Sequence, residues 1–270
     1  MCTYDKQLVM KIGYRGAEFS GYAEQEGQRT VAGELRRALE VLLHRPCELT
    51  CAGRTDAGVS AISQYVSMPV YEDELQREPQ RFWRSLMAIT PEDLSIRGLF
   101  IANKDFSARF DAEQRSYTYR IASGNAQPVL AWDHSWWIRS YVDPTPMHEA
   151  AQALVGEHDF RSFCKVSSAQ KLLEDGRSTS RCIASIGVTS INECGEDLIA
   201  IRVEGNAFLH NMVRIMVGSL VEVGRGNRPA SWLQDVLAVR DRRAAGPTAP
   251  AKGLVFQDVR YPEGSLRAWE

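Results

Sequence analysis

The chain has 270 residues, of which 44% are hydrophobic and 24% charged, and its net charge at pH 7 is −2. This composition is typical of a globular protein with one large or two medium domains. No apolar run approaches the roughly 18 residues that span a bilayer, and the N-terminus lacks a signal sequence, so we expect a cytoplasmic protein with no membrane partner. The cysteines and histidines are scattered without metal-ligand spacing, so the pattern does not favour a metal site.

The first part of the chain alternates between predicted strands and helices. Residues 8–14 alternate as a strand does, and Thr30 can cap a helix with apolar residues at helical spacing. Three further strands are predicted, at residues 48–52, 61–70 and 94–102. An amphipathic helix is predicted at residues 72–87, with Pro79 as its start or as a kink. This order of elements favours an α/β or α+β fold.

A short polar loop between two of these strands places an arginine near a carboxylate. Arg54 and Asp56 lie between Gly53 and Gly58, whose missing side chains allow another molecule to approach the backbone. Because a neighbouring cation favours an ionised carboxylate, Asp56 is a candidate nucleophile or base. The alternative is an aspartate that only caps its own turn, and the local pattern does not decide between the two. An aspartic-protease motif is excluded, since Ala57 follows Asp56 and no second motif of that kind occurs.

The second part of the chain begins with a predicted strand, residues 116–122, in which Tyr117 and Tyr119 project from the same side. Three tryptophans between residues 132 and 137 could stack on bases, but we favour a packing role because aromatic clusters are usually structural. Residues 160–176 are polar and lack periodicity, which indicates a mobile loop. The remaining predicted elements are helices at residues 145–154, 208–223 and 230–240, a hairpin of residues 181–189 with 198–204, and a last strand at residues 254–260.

Five sequence stretches occur in an informative order along the chain. They are RTDAGV (54–59), RSYTY (115–119), GEHDFRSF (156–163), NAFLHNMVR (206–214) and APAKGL (249–254). Together they resemble the motifs of the tRNA pseudouridine synthase A family, and the resemblance covers nearly the whole chain.

The resemblance implies a pseudouridine synthase fold, an α/β (α+β) architecture of two ferredoxin-like subdomains whose antiparallel sheets face each other across a cleft. It implies that residues 1–105 form an N-terminal subdomain with the catalytic aspartate loop, and that residues 106–270 form a C-terminal subdomain that completes the RNA cleft. It also implies a homodimer that binds the anticodon arm of tRNA and isomerises uridines on its 3′ side. Since the isomerisation adds and removes nothing, no cofactor and no metal are expected.

The resemblance also implies roles for individual residues. Asp56 is the expected catalytic carboxylate, and Tyr117 should stack on the uracil face. Arg214 should pair with Asp56, keeping it ionised and fixing its orientation. Arg54 should hold or displace the flipped nucleotide, and Leu254 should supply an apolar wall.

Some of these assignments have alternatives. Arg214 could form a structural ion pair, Tyr119 or Phe208 could be the stacking ring, and Leu254 could be an ordinary core residue. For the whole chain, the alternatives are a family member with other RNA targets and a catalytically silent RNA-binding protein. The complete catalytic set argues against a silent protein, because binding alone does not require it.

The chain departs from the family pattern in segments expected near the RNA. These departures are at Tyr22, at Ser60, at residues 86–91 and at residues 113–114. They leave the catalytic set intact and leave open which uridines are modified.

Overall fold

The computed structural model describes residues 4–270, which form two compact units. The first unit contains residues 4–114 together with Phe256–Glu270, and the second contains Arg115–Val255. These bounds differ from the predicted halves, residues 1–105 and 106–270, because the C-terminal segment belongs to the first unit. Within the described residues, no helix has the length and apolar character needed to cross a membrane.

Helices and strands are interspersed along the chain in both units. The first unit contains β1 (Lys6–Tyr14), α1 (Val31–Leu43), β2 (Thr50–Cys51), β3 (Ser60–Val70), α2 (Glu72–Leu75), α3 (Pro79–Ile89) and β4 (Leu94–Asn103). The second unit contains β5 (Gln114–Ser123), β6 (Trp136–Ile138), α4 (Pro144–Ala151), β7 (Gly156–Asp159), α5 (Val166–Glu174), β8 (Ser180–Glu193), β9 (Glu196–Gly205), α6 (Met212–Gly224) and α7 (Trp232–Val239). The chain ends with β10 (Leu254–Arg260) and β11 (Arg267–Ala268).

The first unit is a sheet with helices packed on it. β1 is central and pairs antiparallel with β3 and β4, while β2 pairs with β3, β11 pairs with β4, and β10 lies beside β3. The hydroxyl of Thr30 accepts a hydrogen bond from the Gly33 amide at 3.2 Å and so caps α1, as predicted. The apolar face of α1 is buried, and it consists of Val31, Ala32, Leu35, Ala38, Leu39 and Leu43.

The second unit contains the antiparallel strands β5, β9, β8 and β7, paired in that order, with β6 parallel to β5. β8 and β9 form the predicted hairpin, and Cys194 and Gly195 between them both have positive φ angles, of 55° and 85°. α6 is buried along almost its whole length. The α/β (α+β) class is therefore confirmed, and most predicted strands match within two residues.

The prediction of a mobile loop at residues 160–176 is wrong. Phe160 and Phe163 are fully buried, and α5 then runs from Val166 to Glu174, with Ala169 buried against the unit. The apolar residues that anchor this segment are few and widely spaced, so their contacts with distant parts of the chain could not be read from the local pattern.

Other predicted elements have different bounds. The helix expected at residues 208–223 begins at Met212, because Asn211 before it adopts a left-handed conformation with a φ of 63°. The helix expected at residues 72–87 is two helices, because Pro79 starts α3 and Glu78 caps it. The strand expected at residues 48–52 is reduced to the two residues of β2.

Candidate functional site

The loop that carries Arg54 and Asp56 connects β2 to β3, and we call residues 53–59 the signature loop. Its first residue is held by a side chain instead of a neighbouring strand. The Gly53 amide donates a hydrogen bond to Gln64 Oε1 at 3.3 Å, and Gln64 Nε2 donates one to the Gly53 carbonyl oxygen. Because Gln64 is fully buried, these bonds form away from water and fix where the loop begins.

Thr55 provides a second fixed point in the signature loop. Its hydroxyl lies 2.7 Å from the Tyr14 hydroxyl, and its carbonyl oxygen accepts a hydrogen bond from the Tyr22 amide at 3.0 Å. Burial raises the pKa of Tyr14 well above its usual range, so this phenol stays neutral as a hydrogen-bonding group. The residue immediately before Asp56 is therefore anchored on both its side chain and its backbone.

The signature loop closes with a turn after Asp56. The Val59 amide donates a hydrogen bond to the Asp56 carbonyl oxygen at 3.1 Å, and Gly58 in this turn has a φ of 81°, which favours glycine. Gly16 packs directly on the end of the turn, where an added Cβ would overlap the Val59 carbonyl group. The glycine at this position allows the segment after β1 to support the signature loop at close range.

Two predicted site residues thus lie together in the first unit. The Asp56 side chain is half-buried, and Arg54 is exposed. The nearby thiol of Cys51 does not compete as a nucleophile, because burial raises its pKa to about 11 and keeps it protonated near neutral pH. Within residues 4–270, no three His, Cys, Asp or Glu side chains are grouped as a metal site requires.

The other three predicted residues lie in the second unit, and Tyr117 is in β5. Its ring centre is 5.0 Å from that of Phe208, at an interplanar angle of 82°, which is an edge-to-face contact. Tyr119 is on the same side of β5 and is fully buried, and its hydroxyl donates a hydrogen bond to the Pro250 carbonyl oxygen at 2.7 Å. Burial raises the pKa of Tyr119 well above its usual range. Tyr119 is therefore a packing residue in the interior of the unit.

Leu254 is the first residue of β10 and is 5% exposed. It follows a single 3-10 turn, Ala251–Gly253, which begins after Pro250. Because Pro250 accepts the hydrogen bond from Tyr119, the stretch that leads to Leu254 is tied to β5.

Arg214 is in the first turn of α6, and hydrogen bonds to Ala249 and Asn211 help to fix its guanidinium. Nε donates to the Ala249 carbonyl oxygen at 2.8 Å, and Nη1 donates to Asn211 Oδ1 at 3.0 Å. The Ala249 amide donates in return to the Arg214 carbonyl oxygen at 3.0 Å. These hydrogen bonds connect Arg214 to the stretch that leads to Leu254, and they hold its guanidinium in one orientation.

Sequence reasoning missed the residues that support the signature loop. Neither Tyr14 nor Gln64 was singled out, although Gln64 is a polar residue within the mostly apolar strand β3. A glutamine buried in a strand needs hydrogen-bond partners, and this was the available signal.

Several known proteins resemble this chain. Residues 150–262 match the family model described as tRNA pseudouridine synthase. Among solved structures, the archaeal box H/ACA sRNP Nop10-Cbf5 complex aligns with a TM-score of 0.36 and 12% identity, over 89% of this chain and 60% of that chain.

The relatives with similar sequences match along almost their full length. The tRNA pseudouridine synthase A of Xanthomonas euvesicatoria pv. vesicatoria (strain 85-10) is 40% identical over 258 residues, which is 95% of each chain. That of Stenotrophomonas maltophilia (strain K279a) is 37% identical over 262 residues, covering 95% of this chain and 96% of the relative. Identity at this level over nearly the whole length shows that the chain belongs to the tRNA pseudouridine synthase A family.

Proposed function

We propose that the protein isomerises uridine to pseudouridine in tRNA, on the 3′ side of the anticodon arm, with Asp56 as the catalytic carboxylate. As a family member it is an RNA pseudouridine synthase, and the names of its relatives support tRNA as the substrate. The observation that carries the role of Asp56 is the anchored signature loop. Its backbone is fixed on both sides of Asp56, by Thr55 before it and by the Val59 turn after it, while the carboxylate remains half-buried.

The chemistry requires one well-placed carboxylate. The bond from the sugar C1′ to the base N1 breaks, and a bond from C1′ to C5 of the same base forms. The hydrogen on C5 leaves as a proton, and N1 gains one, so the atoms balance without a co-reactant. A carboxylate can act at C1′ while the first bond breaks, and it can accept the C5 proton at the end.

Two residues of the second unit complete the proposed chemistry. Tyr117 stacks on the uracil face, which holds the detached base while allowing it to turn in its plane. Arg214 pairs with Asp56, which keeps the carboxylate ionised and oriented. The support for Arg214 is its fixed guanidinium, since Ala249 and Asn211 already hold it in one orientation.

The remaining roles concern the RNA. Arg54, which is exposed at the signature loop, holds or displaces the flipped nucleotide, and Leu254 provides an apolar wall for the base. We also propose that the protein acts as a homodimer, as the family resemblance implies, and that it works in the cytoplasm, where a tRNA substrate is available.

The test is the substitution Asp56→Asn, which removes the charge and keeps the shape. With tRNA labelled with tritium at uracil C5, tritium release should fall by about 100-fold or more. The variant loses the reacting carboxylate but keeps a side chain of the same shape. Affinity for tRNA, measured by filter binding, should stay within about threefold. The matched control is Asp73→Asn, at an exposed aspartate in α2 of the same unit, which should retain full activity. Normal tritium release by the Asp56 variant would refute the assignment.

A further inference from the structure

Phe110 has the most exposed large hydrophobic side chain in residues 4–270, with 79% of its surface accessible to water. It lies between β4 and β5, in the first unit. A single exposed apolar side chain is ordinary on a protein surface, so exposure alone assigns no role. The hydrogen bonds that hold the surrounding loop are the reason to consider a role for Phe110.

The loop is anchored directly beside Phe110. The Ala108 amide donates a hydrogen bond to Ser67 Oγ at 3.1 Å, and the Tyr261 hydroxyl donates one to the Ala108 carbonyl oxygen at 2.7 Å. Ala108 itself is fully buried. These contacts fix the backbone two residues before the exposed ring.

The same loop is closed by a local turn. The Ser107 amide donates a hydrogen bond to Asp111 Oδ2 at 2.7 Å, and the Asp111 amide donates one to the Ser107 carbonyl oxygen at 3.1 Å. Phe110 therefore lies inside a closed turn on an anchored backbone. An apolar ring held outward in this way loses little conformational entropy when it binds a ligand.

Phe110 is accompanied by a cation. The guanidinium carbon of Arg109 is 5.3 Å from the centre of the Phe110 ring, and the Arg109 side chain is exposed. A flat ring beside a guanidinium fits a nucleotide, because the base can stack on the ring while the phosphate meets the positive charge. The neighbouring carboxylate of Asp111 is already engaged by the Ser107 amide.

The loop is close to the signature loop within the first unit. Ser67, which anchors Ala108, pairs in the sheet with Thr50 of β2, and β2 leads into the signature loop. Cys51, at the end of β2, is near both loops. Burial raises the pKa of its thiol, and the charges of Arg54 in the signature loop and of Arg109 beside Phe110 both lower it. An RNA strand at the signature loop would have the Phe110 ring within reach of a nearby nucleotide.

We propose that Phe110 is a base-stacking residue that receives an unpaired base of the RNA substrate near the reacting uridine, with Arg109 at the adjoining phosphate. This assignment rests on the proposed function and adds to it a contact that positions the RNA. Phe110 does not touch the reacting atoms, so its contribution belongs to binding.

The first test compares Phe110→Ala with Phe110→Trp, which keeps an aromatic ring. The alanine variant should raise the dissociation constant and the KM for tRNA by about 5- to 100-fold, while kcat at saturating tRNA stays within about twofold. The tryptophan variant should restore binding. The matched control is Val41→Ala, which shortens another exposed apolar side chain of the first unit, on α1, and should change neither constant.

Salt dependence separates stacking from charge. Because the ring is uncharged, Phe110→Ala should leave the slope of log affinity against log salt unchanged, whereas Arg109→Gln should reduce its magnitude by about 0.7 to 0.9. A change of slope in the Phe110 variant would contradict stacking.

A double-mutant cycle identifies the base. Anticodon-arm RNAs with one abasic nucleotide at each unpaired position are bound to the wild type and to Phe110→Ala. At one position the two losses should fail to add, because they remove the two halves of one contact. Additive losses at every position, or unchanged binding by the alanine variant, would overturn the proposal.

The remaining outcomes separate this inference from the proposed function. If the wild type releases no tritium from tRNA but Phe110→Ala still weakens RNA binding, the proposed function fails and the stacking role stands. If tritium release is normal and the alanine variant binds and reacts like the wild type, the stacking role fails alone. If the variant instead changes self-association without RNA, measured by sedimentation, the ring belongs to an interface between copies and the proposal is overturned.

Discussion

At the scale of single residues, buried polar groups hold the signature loop. Gln64 Oε1 accepts hydrogen bonds from the amides of Gly53 and Tyr65, and its Nε2 donates to the Gly53 carbonyl oxygen. Gln64→Leu keeps a similar volume but leaves these backbone groups without a partner, and each such loss costs about 1 to 3 kcal/mol. With three such groups, we expect the free energy of unfolding in urea to fall by about 3 kcal/mol or more. Gln76→Leu, at an exposed glutamine, should change it little, and equal effects of the two variants would contradict the account.

The burial of Cys51, again a single residue, predicts that the stability of the fold depends on pH. Burial raises its thiol pKa from 9.0 to about 11, so the folded chain keeps a proton that the unfolded chain loses. The stabilisation is complete below pH 9 and is lost as pH rises to 11, which amounts to about 2 to 3 kcal/mol. Urea unfolding of the wild type and of Cys51→Ala at pH 8 to 10.5 should therefore show the stability advantage of the wild type shrinking. A constant difference across this range would contradict the burial of the thiol.

At the scale of elements, the segment after β1 supports the signature loop at Gly16. The added methyl group in Gly16→Ala would displace the Val59 carbonyl and with it the turn that begins at Asp56. We expect kcat to fall at least tenfold, because misplacement by about 1 Å is costly in catalysis. Gly27→Ala is the control, since its φ of 70° costs stability while its added methyl group meets open space. It should lower stability by about 1 kcal/mol and leave kcat unchanged, and a similar loss of kcat in both variants would count against the support role.

Elements were predictable from the sequence where local signals agreed. α1 has a capping residue, Thr30, and a complete apolar face, so the helix and its start were predicted correctly. α5 was missed because its main fixed points, Phe160 and Phe163, precede the helix and are buried by distant parts of the chain. The start of α6 was misplaced because only the left-handed conformation of Asn211 sets it.

The same limit applies to the candidate site. Asp56, Arg54 and Arg214 are predicted site residues because they stand in motifs that resemble those of the family. The support from Tyr14 and Gln64 depends on strand register and burial, which bring together residues far apart in the chain. Such pairings follow from the folded sheet and have no local sequence pattern.

At the scale of the whole molecule, the two units differ in how the chain builds them. The second unit, residues 115–255, is one continuous segment, whereas the first needs both ends of the chain. A fragment of residues 115–255 should therefore fold alone, giving a cooperative urea transition by circular dichroism. A fragment of residues 1–114 should not, because it lacks two strands of the first unit, β10 beside β3 and β11 beside β4. An unfolded 115–255 fragment would contradict this division.

The central claim is that this protein converts uridine to pseudouridine in the tRNA anticodon arm through Asp56. The most direct measurement incubates the purified wild type, without added cofactor, with tRNA labelled with tritium at uracil C5, and then maps the modified nucleotides. The account predicts tritium in the water in equal amount to the pseudouridine formed, with all modified positions on the 3′ side of the anticodon arm. Absence of tritium release from a tRNA that the protein demonstrably binds would contradict it.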